Sequence, residues 1–170
     1  MIPPRTSYHS LHETLAARGA EMLVETLRRR LFVSPRLAVQ STYEASLAPK
    51  ITKEDCHVDW AAWSADELGL RAEVLGEVWT ELGYETDRPD VPRKRVILYG
   101  ISTLDWTPEL DIAVGCFRYV KRGHEEVMVL KCRDGGWVRV GTVKVEGKSA
   151  IEGGTWIRSL QKRGIGRIFC

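Results

Sequence analysis

The chain has 170 residues, 44% hydrophobic and 28% charged, with a formal net charge of +2. No apolar run reaches the roughly 18 residues of a membrane helix, and Met1-Ile2-Pro3-Pro4 lacks the apolar core of a secretion signal. Charge is lopsided: residues 1–90 hold ten Lys/Arg against fifteen Asp/Glu (−5), and residues 91–170 hold fifteen against eight (+7). That balance fits a polyanion partner for the second half, and equally an ordinary solvated basic surface.

Ser10-Leu11-His12-Glu13 has the S-x-x-E form of a capping box, and Leu11, Leu15, Met22, Leu23, Leu27 and Leu31 follow at helical spacing. Gly19 is the place for a break, and Arg28-Arg29-Arg30 suits the negative end of the helix dipole. Residues 34–59 read as a linker, with Pro35 and Pro49 and no sustained period. Ser64-Ala65-Asp66-Glu67 repeats the capping box. Leu68, Ala72, Leu75, Val78, Trp79 and Leu82 then predict a helix over 64–83, stopped by Gly83. Asp87–Arg93, with Pro89 and Pro92, is a loop.

Beyond residue 93 the period becomes two. Strands are expected to begin at Val96, Leu98 and Tyr99, then over Ile112–Tyr119, Glu126–Cys132 and Trp137–Val145. Arg133-Asp134-Gly135-Gly136 supplies a hairpin turn. In the last strand Val138 and Val140 fall on one parity and Val143 and Val145 on the other, so a β-bulge at Gly141 is expected. Bent strands in a short antiparallel series predict an α+β fold: a small OB-like antiparallel β-barrel over 93–147 with flanking helices. A third S-x-x-E, Ser149–Glu152, predicts a short helix carrying Trp156, Ile157 and Leu160, weakened by Gly153 and Gly154. A basic tail, Lys162–Arg167, follows.

Chemistry-bearing motifs are sparse. Cys56, Cys116, Cys132 and Cys170 form no CxxC pair, which favours reduced structural thiols over a zinc site. Cys56-His57-x-Asp59 has metal-capable side chains on an extended arm, too few for a site. His9, His12, His57 and His124 lie near no nucleophile elbow, and no P-loop or GxGxxG is present. Trp106, Trp137 and Trp156 have the chemistry to stack on bases, although core positions are the expected place for them.

Three blocks carry a family resemblance. "LAPKITKEDCHVDW" (Leu47–Trp60) resembles the interdomain segment of methionyl-tRNA formyltransferases. "SLHETLAARGAEMLVETL" (Ser10–Leu27) is similar to the last helix of that family's catalytic domain, and "VEGKSAIEGGTWIRSL" (Val145–Leu160) resembles its C-terminal ending. The family's Rossmann-like domain binds 10-formyltetrahydrofolate and transfers formyl with an Asn, the His of an H-x-S-L-L-P-type motif, and an Asp. None of these has a counterpart here; His9-Ser10-Leu11 matches three letters at the wrong end. Arg71-Ala72 fits the family's R-A-x-x-P-x-P-G segment, but its prolines are missing.

The resemblance implies three regions: 1–33, a terminal helix remnant of the Rossmann-like catalytic domain; 34–59, the linker; and 60–170, the OB-like tRNA-binding domain. The chain is then expected to start after the catalytic residues and to hold no cofactor itself. It would act as a monomer on initiator tRNA, in the mitochondrial matrix, or in the cytoplasm if bacterial. Candidate tRNA-binding residues are Lys50, Lys53, Arg93, Lys94, Arg95, Lys144, Lys148, Lys162, Arg163 and Arg167, with Trp60 anchoring the linker. The competing readings are a stand-alone nucleic-acid-binding OB module and a fragment of another folate-dependent formyltransferase or hydrolase.

Overall fold

The computed structural model describes residues 6–33, 47, 49–83 and 93–161. The basic tail and most of the expected linker lie outside the described residues. Contacts divide the chain into two units, Met1–Ile51 and Thr52–Cys170. Residues 52–59 of the expected linker therefore group with the strands.

Among the described residues the first unit contains one helix, α1 (Tyr8–Arg28), of 21 residues. Ser7, three residues earlier than expected, is its N-cap: its hydroxyl accepts from the Ser10 amide at 3.2 Å. Glu13 instead meets His9 one turn back, 3.2 Å away. The helix runs through Gly19 without a break. A single glycine costs only about 1 kcal/mol, which continuous backbone hydrogen bonding on either side offsets. At the far end Arg30 takes φ 52°. The Leu31 amide then reaches Thr26 O and the Arg30 amide reaches Leu27 O, both at 3.1 Å. This is a Schellman ending with arginine where glycine is usual. The arginine run does close the helix, with Arg29 on Glu25. The apolar stripe stays exposed at Leu15, Met22, Leu23 and Leu27.

The second unit is α+β: its described residues form two helices and a six-stranded antiparallel sheet ordered β1-β2-β5-β4-β3, with β6 on β5. The strands are β1 (Glu77–Leu82), β2 (Lys94–Thr103), β3 (Phe117–Arg122), β4 (Glu125–Lys131), β5 (Trp137–Val145) and β6 (Ile151–Glu152); the helices are α2 (Ala65–Leu75) and α3 (Gly153–Gln161). No continuous helix occurs in 110–145.

The predicted helix over 64–83 is two elements. Ser64 caps α2 as expected, its hydroxyl accepting from the Glu67 amide at 3.1 Å. Gly76 ends the helix at φ 77°, a conformation that other residues resist. Glu77–Leu82 then runs as β1, with Val78, Thr80 and Leu82 buried. Val78, Trp79 and Leu82 fit both a helical stripe and an alternating strand, and the pairing of β1 with β2 decides between them. Similarly, β3 starts at Phe117 rather than Ile112, because the chain turns at Gly115 with φ 76°.

The phase slip at Gly141 is real, but it is not a bulge. Val96 faces Val145, Leu98 faces Val143, Ile101 faces Val140 and Thr103 faces Val138, so the register is unchanged across the slip. Both strands slip together. Val96, Leu98 and Ile101 are buried on β2, and Val138, Val140, Val143 and Val145 on β5. Gly100, at φ 62°, lies against Gly141; a Cβ on it would sit 3.6 Å from the Gly141 Cα. β5 changes its second neighbour at this bend, from β4 along Trp137–Val140 to β6 along Thr142–Val143.

The main core joins α2, α3 and one sheet face: Leu68, Leu98, Met128, Leu130, Val138, Val143, Trp156 and Leu160, among others. Val127, Val129 and Trp137 point to the other face and are covered by Leu104, Trp106, Leu110 and Ile112. Trp137 and Trp156 are buried and Trp106 partly so, as expected of core residues.

The third S-x-x-E is not a capping box. Glu152 lies in β6 and its carboxylate takes the Thr155 hydroxyl at 2.9 Å, so α3 begins at Gly153. Gly153 and Gly154 are there for close approach: a Cβ on Gly153 would meet the Val140 carbonyl oxygen at 2.8 Å and the Met128 Cβ at 3.0 Å. Gly153→Ala should therefore destabilise the unit by about 1–3 kcal/mol, as overpacking does. Urea denaturation checks this; an unchanged midpoint would mean α3 docks more loosely than its contacts indicate. For α1 the expectation is fast hydrogen exchange relative to β2 and β5, since helix stability in proteins comes mostly from burying one face. Equal protection would show that its stripe is covered.

Candidate nucleic-acid interface

Val58 is buried, and its amide donates to Trp79 O at 2.9 Å, where His57 bridges the edge of β1 in parallel. Trp60 is half-buried against the core and its indole N–H donates to the buried Thr80 hydroxyl at 3.0 Å. This is the anchoring expected of it. Asp59 Oδ1 caps the Ala61 and Ala62 amides at 2.9 and 3.0 Å. Upstream, the Asp55 carboxylate accepts from the Thr52 amide at 2.7 Å and its hydroxyl at 3.0 Å, which closes the turn Glu54–Cys56. Those bonds, the backbone one first, hold the Asp55 carboxyl below the usual carboxylate range, with the charge of Arg71 helping. The three metal-capable side chains of Cys56-His57-x-Asp59 thus have other work. Asp59 caps, His57 lies 4.2 Å from the Trp79 ring centroid to centroid, and the Cys56 thiol contacts Thr52 O at 3.7 Å. Burial pushes the Cys56 thiol up, with Glu77 and Asp55 adding to it. Burial also pushes the Cys132 thiol up to about 12, Asp134 assisting, so it is an unreactive core thiol.

The candidate cations scatter and then partly regroup. Lys162, Arg163 and Arg167 lie outside the described residues. Lys50 is exposed in the first unit. In the second unit the register gathers five residues at one end of the β2–β5 ladder. Lys94 pairs with Leu82, Lys144 with Ile97, and the Glu146 amide reaches Arg95 O at 2.9 Å. The Val145–Lys148 turn closes with Lys148 N on Val145 O at 2.9 Å, Gly147 taking φ 73°. Arg93 precedes β2 at the same end, but Glu81 answers its charge at 3.6 Å. Lys94, Lys144 and Lys148 are exposed and Arg95 is half-exposed. Lys53 contributes its backbone, accepting the Trp79 indole N–H at 2.7 Å.

Trp79 and His57 were not among the candidate residues. Its place on the expected helix stripe hides Trp79; the alternation Glu77-Val78-Trp79-Thr80-Glu81-Leu82 after a stop glycine is the signal that finds it. On β1 it points away from the core, between His57 and the Arg95 guanidinium, whose carbon lies 4.6 Å from the ring centroid.

Comparison with known proteins bears on what such a surface serves. No family model matches. Curated proteins do. Over 167 residues, 95% of this chain, it is 29% identical to the mitochondrial methionyl-tRNA formyltransferase of Saccharomyces cerevisiae. The chain resembles methionyl-tRNA formyltransferases over most of its own length. The enzyme of Acidobacterium capsulatum is 29% identical over 88% of the chain, and that of Rubrobacter xylanophilus 42% identical over 90 residues, 53% of it. The chain spans less than half the length of these formyltransferases: 41%, 44% and 28%.

Asp55 gives this segment a pH signature. A carboxyl whose folded pKa is depressed stabilises the fold above its unfolded pKa, and that contribution is lost as pH falls through the folded value. The Thr52 amide resonance should therefore titrate below the ordinary aspartate range, and Asp55→Asn should abolish the titration. An ordinary midpoint would mean the turn is not held by this carboxylate.

Proposed function

We propose that this chain is the tRNA-binding portion of a methionyl-tRNA formyltransferase. The observation that carries the reading is the similarity to curated formyltransferases over 95% and 88% of the chain while less than half of each relative is covered. The bent antiparallel sheet supports an OB-like nucleic-acid module, and the cations at one end of the β2–β5 ladder support a phosphate-contacting surface. In this reading the chain grips initiator methionyl-tRNA and holds its acceptor arm near the formyl-transfer residues. The formyl donor would be 10-formyltetrahydrofolate, bound with those residues; no described residue is assigned to it. The compartment follows the host: mitochondrial matrix in a eukaryote, cytoplasm in a bacterium.

Lys94, Arg95, Lys144 and Lys148 then act mainly on phosphates, with Lys50, Lys53, Lys162, Arg163 and Arg167 as further contacts. About four to six phosphates engaged together give a log–log salt slope of roughly −3 to −5. Lys148→Ala should weaken initiator and elongator tRNA alike and reduce that slope by about one. A salt titration with both tRNAs checks it, and a flat response from the unaltered chain would overturn the tRNA-binding reading. Strong salt dependence with no preference for initiator tRNA would favour a general nucleic-acid module instead. The 170-residue chain alone should produce no formyl-methionyl-tRNA, since its sequence lacks counterparts of the Asn, His and Asp that such a transfer uses.

A further inference from the structure

The outer face of β1 and β2 carries an arrangement that a merely solvated basic surface does not need. Trp79 is immobilised on three sides. His57 lies 4.2 Å from its ring, the Arg95 guanidinium carbon lies 4.6 Å from it, and its indole N–H is spent on Lys53 O at 2.7 Å. Both its stacking and its hydrogen-bonding capacity are thus occupied. Arg95 is held but not neutralised. Its Nε is sealed from solvent without a hydrogen-bond partner, so its free donors are the two terminal nitrogens. No described carboxylate lies within ion-pair distance of it: Glu81, directly opposite on β1, meets Arg93 at 3.6 Å, and Glu146, whose amide bonds to Arg95 O on the β5 side, makes no ion pair with it. Arg71 shows the contrast. It also stacks on a tryptophan, Trp63, at 4.5 Å, but Glu67 takes its Nε and Nη2 at 3.2 and 3.0 Å.

We propose that Trp79, braced by His57 and the Lys53 carbonyl, is a positioning residue that presents the Arg95 guanidinium as a preformed fork for an RNA phosphate. The inference rests on the tRNA-binding reading and deepens it. A guanidinium fits a phosphate with two parallel hydrogen bonds, and a fork already fixed on an aromatic ring loses less side-chain freedom on binding than a free lysine does. Lys144 lies one strand over, paired with Ile97 two residues from Arg95, and serves a neighbouring phosphate as a point charge. Trp79 is here a prop and not a stacking platform, so no base need be unstacked for binding.

The test is a double-substitution cycle at Arg95 and Trp79. Binding of unmodified initiator and elongator methionine tRNA transcripts is measured across a salt series, and folding is followed by thermal melting. Arg95→Lys keeps the charge and removes the fork. It should weaken both tRNAs roughly tenfold, the size expected for a charge-assisted bidentate contact. Arg95→Ala should do at least as much and reduce the salt slope by about one. Trp79→Leu should lose nearly as much as Arg95→Lys with the slope kept, and the double variant should be little worse than Arg95→Ala. Arg139→Ala serves as the control: this arginine lies on β5 in an ion pair with Glu125, 3.0 Å away, and its loss should leave binding unchanged. Wild-type affinity in a folded Arg95→Lys variant overturns the fork and leaves the tRNA-binding reading standing. Losses at Trp79 and Arg95 that simply add overturn the prop. Salt-insensitive binding by the unaltered chain overturns both readings. Should Trp79→Leu fail to fold, Trp79→Phe, which keeps a ring for Arg95 and removes the bond to Lys53 O, takes its place, with an intermediate loss expected and wild-type affinity counting against the prop.

Discussion

The ladder between β2 and β5 is the constraint on which the rest of the second unit depends. It is the longest pairing in the sheet, running from Val96–Val145 to Thr103–Val138 in one register. It must bend while keeping that register, because both halves bury apolar side chains against the same core. Facing glycines at 100 and 141 allow this. With no Cβ on either strand at the crossing, the backbones approach closely and both strands change phase together. A bulge on β5 alone would have kept its four valines on one face but left β2 without the matching change of phase that buries Ile101 together with Val96 and Leu98. The bend also frees the far edge of β5 past Gly141. There β6 pairs, and α3 then starts against the Val140 carbonyl, where only glycine fits.

A second constraint acts at the exposed edge of the sheet. An unpaired strand edge invites association, and proteins commonly cover it. Here the segment before α2 does so, with Val58 buried, its amide on Trp79 O, and Trp60 tied to Thr80. Asp134, in the β4–β5 turn, reaches across to the Ala65 amide at 3.2 Å and to the Gly136 amide at 3.1 Å, so one carboxylate joins the turn to the first residue of α2. The acidic first half of the chain therefore works partly as local caps: Asp55, Asp59 and Glu67 each hold a backbone amide, a turn or a neighbouring side chain.

Net charge by halves is thus a poor guide to the interface. What matters is which cations are already answered. Arg71, Arg93, Arg139 and Arg158 have carboxylate partners within 4 Å. Such exposed pairs contribute little to stability, on the order of 0–1 kcal/mol, yet they do reduce the charge available to a polyanion. Arg95 stands apart because no described carboxylate pairs with it and its position is set by an aromatic ring.

Much of this was legible in the sequence, for local reasons. The Ser64 cap, the Asp134-Gly135 turn, β5 to the residue and the phase slip at Gly141 all follow from interactions within a few positions. The resemblance to formyltransferases was readable in three blocks of residues. What was not legible needed a partner distant in sequence. Whether Val78, Trp79 and Leu82 form the end of a helix or a strand was settled by pairing with β2, twelve or more residues away. Whether the slip was a bulge depended on Gly100, 41 positions from Gly141. The glycines of α3 looked like defects until the sheet came against them. The candidate interface followed the same rule: the sequence supplied its cations by type, but only the folded sheet decided which of them share a surface, which are neutralised, and that a tryptophan braces one of them. Local propensity determines caps and turns, whereas side-chain neighbourhoods across a sheet are set by register, which no single strand contains.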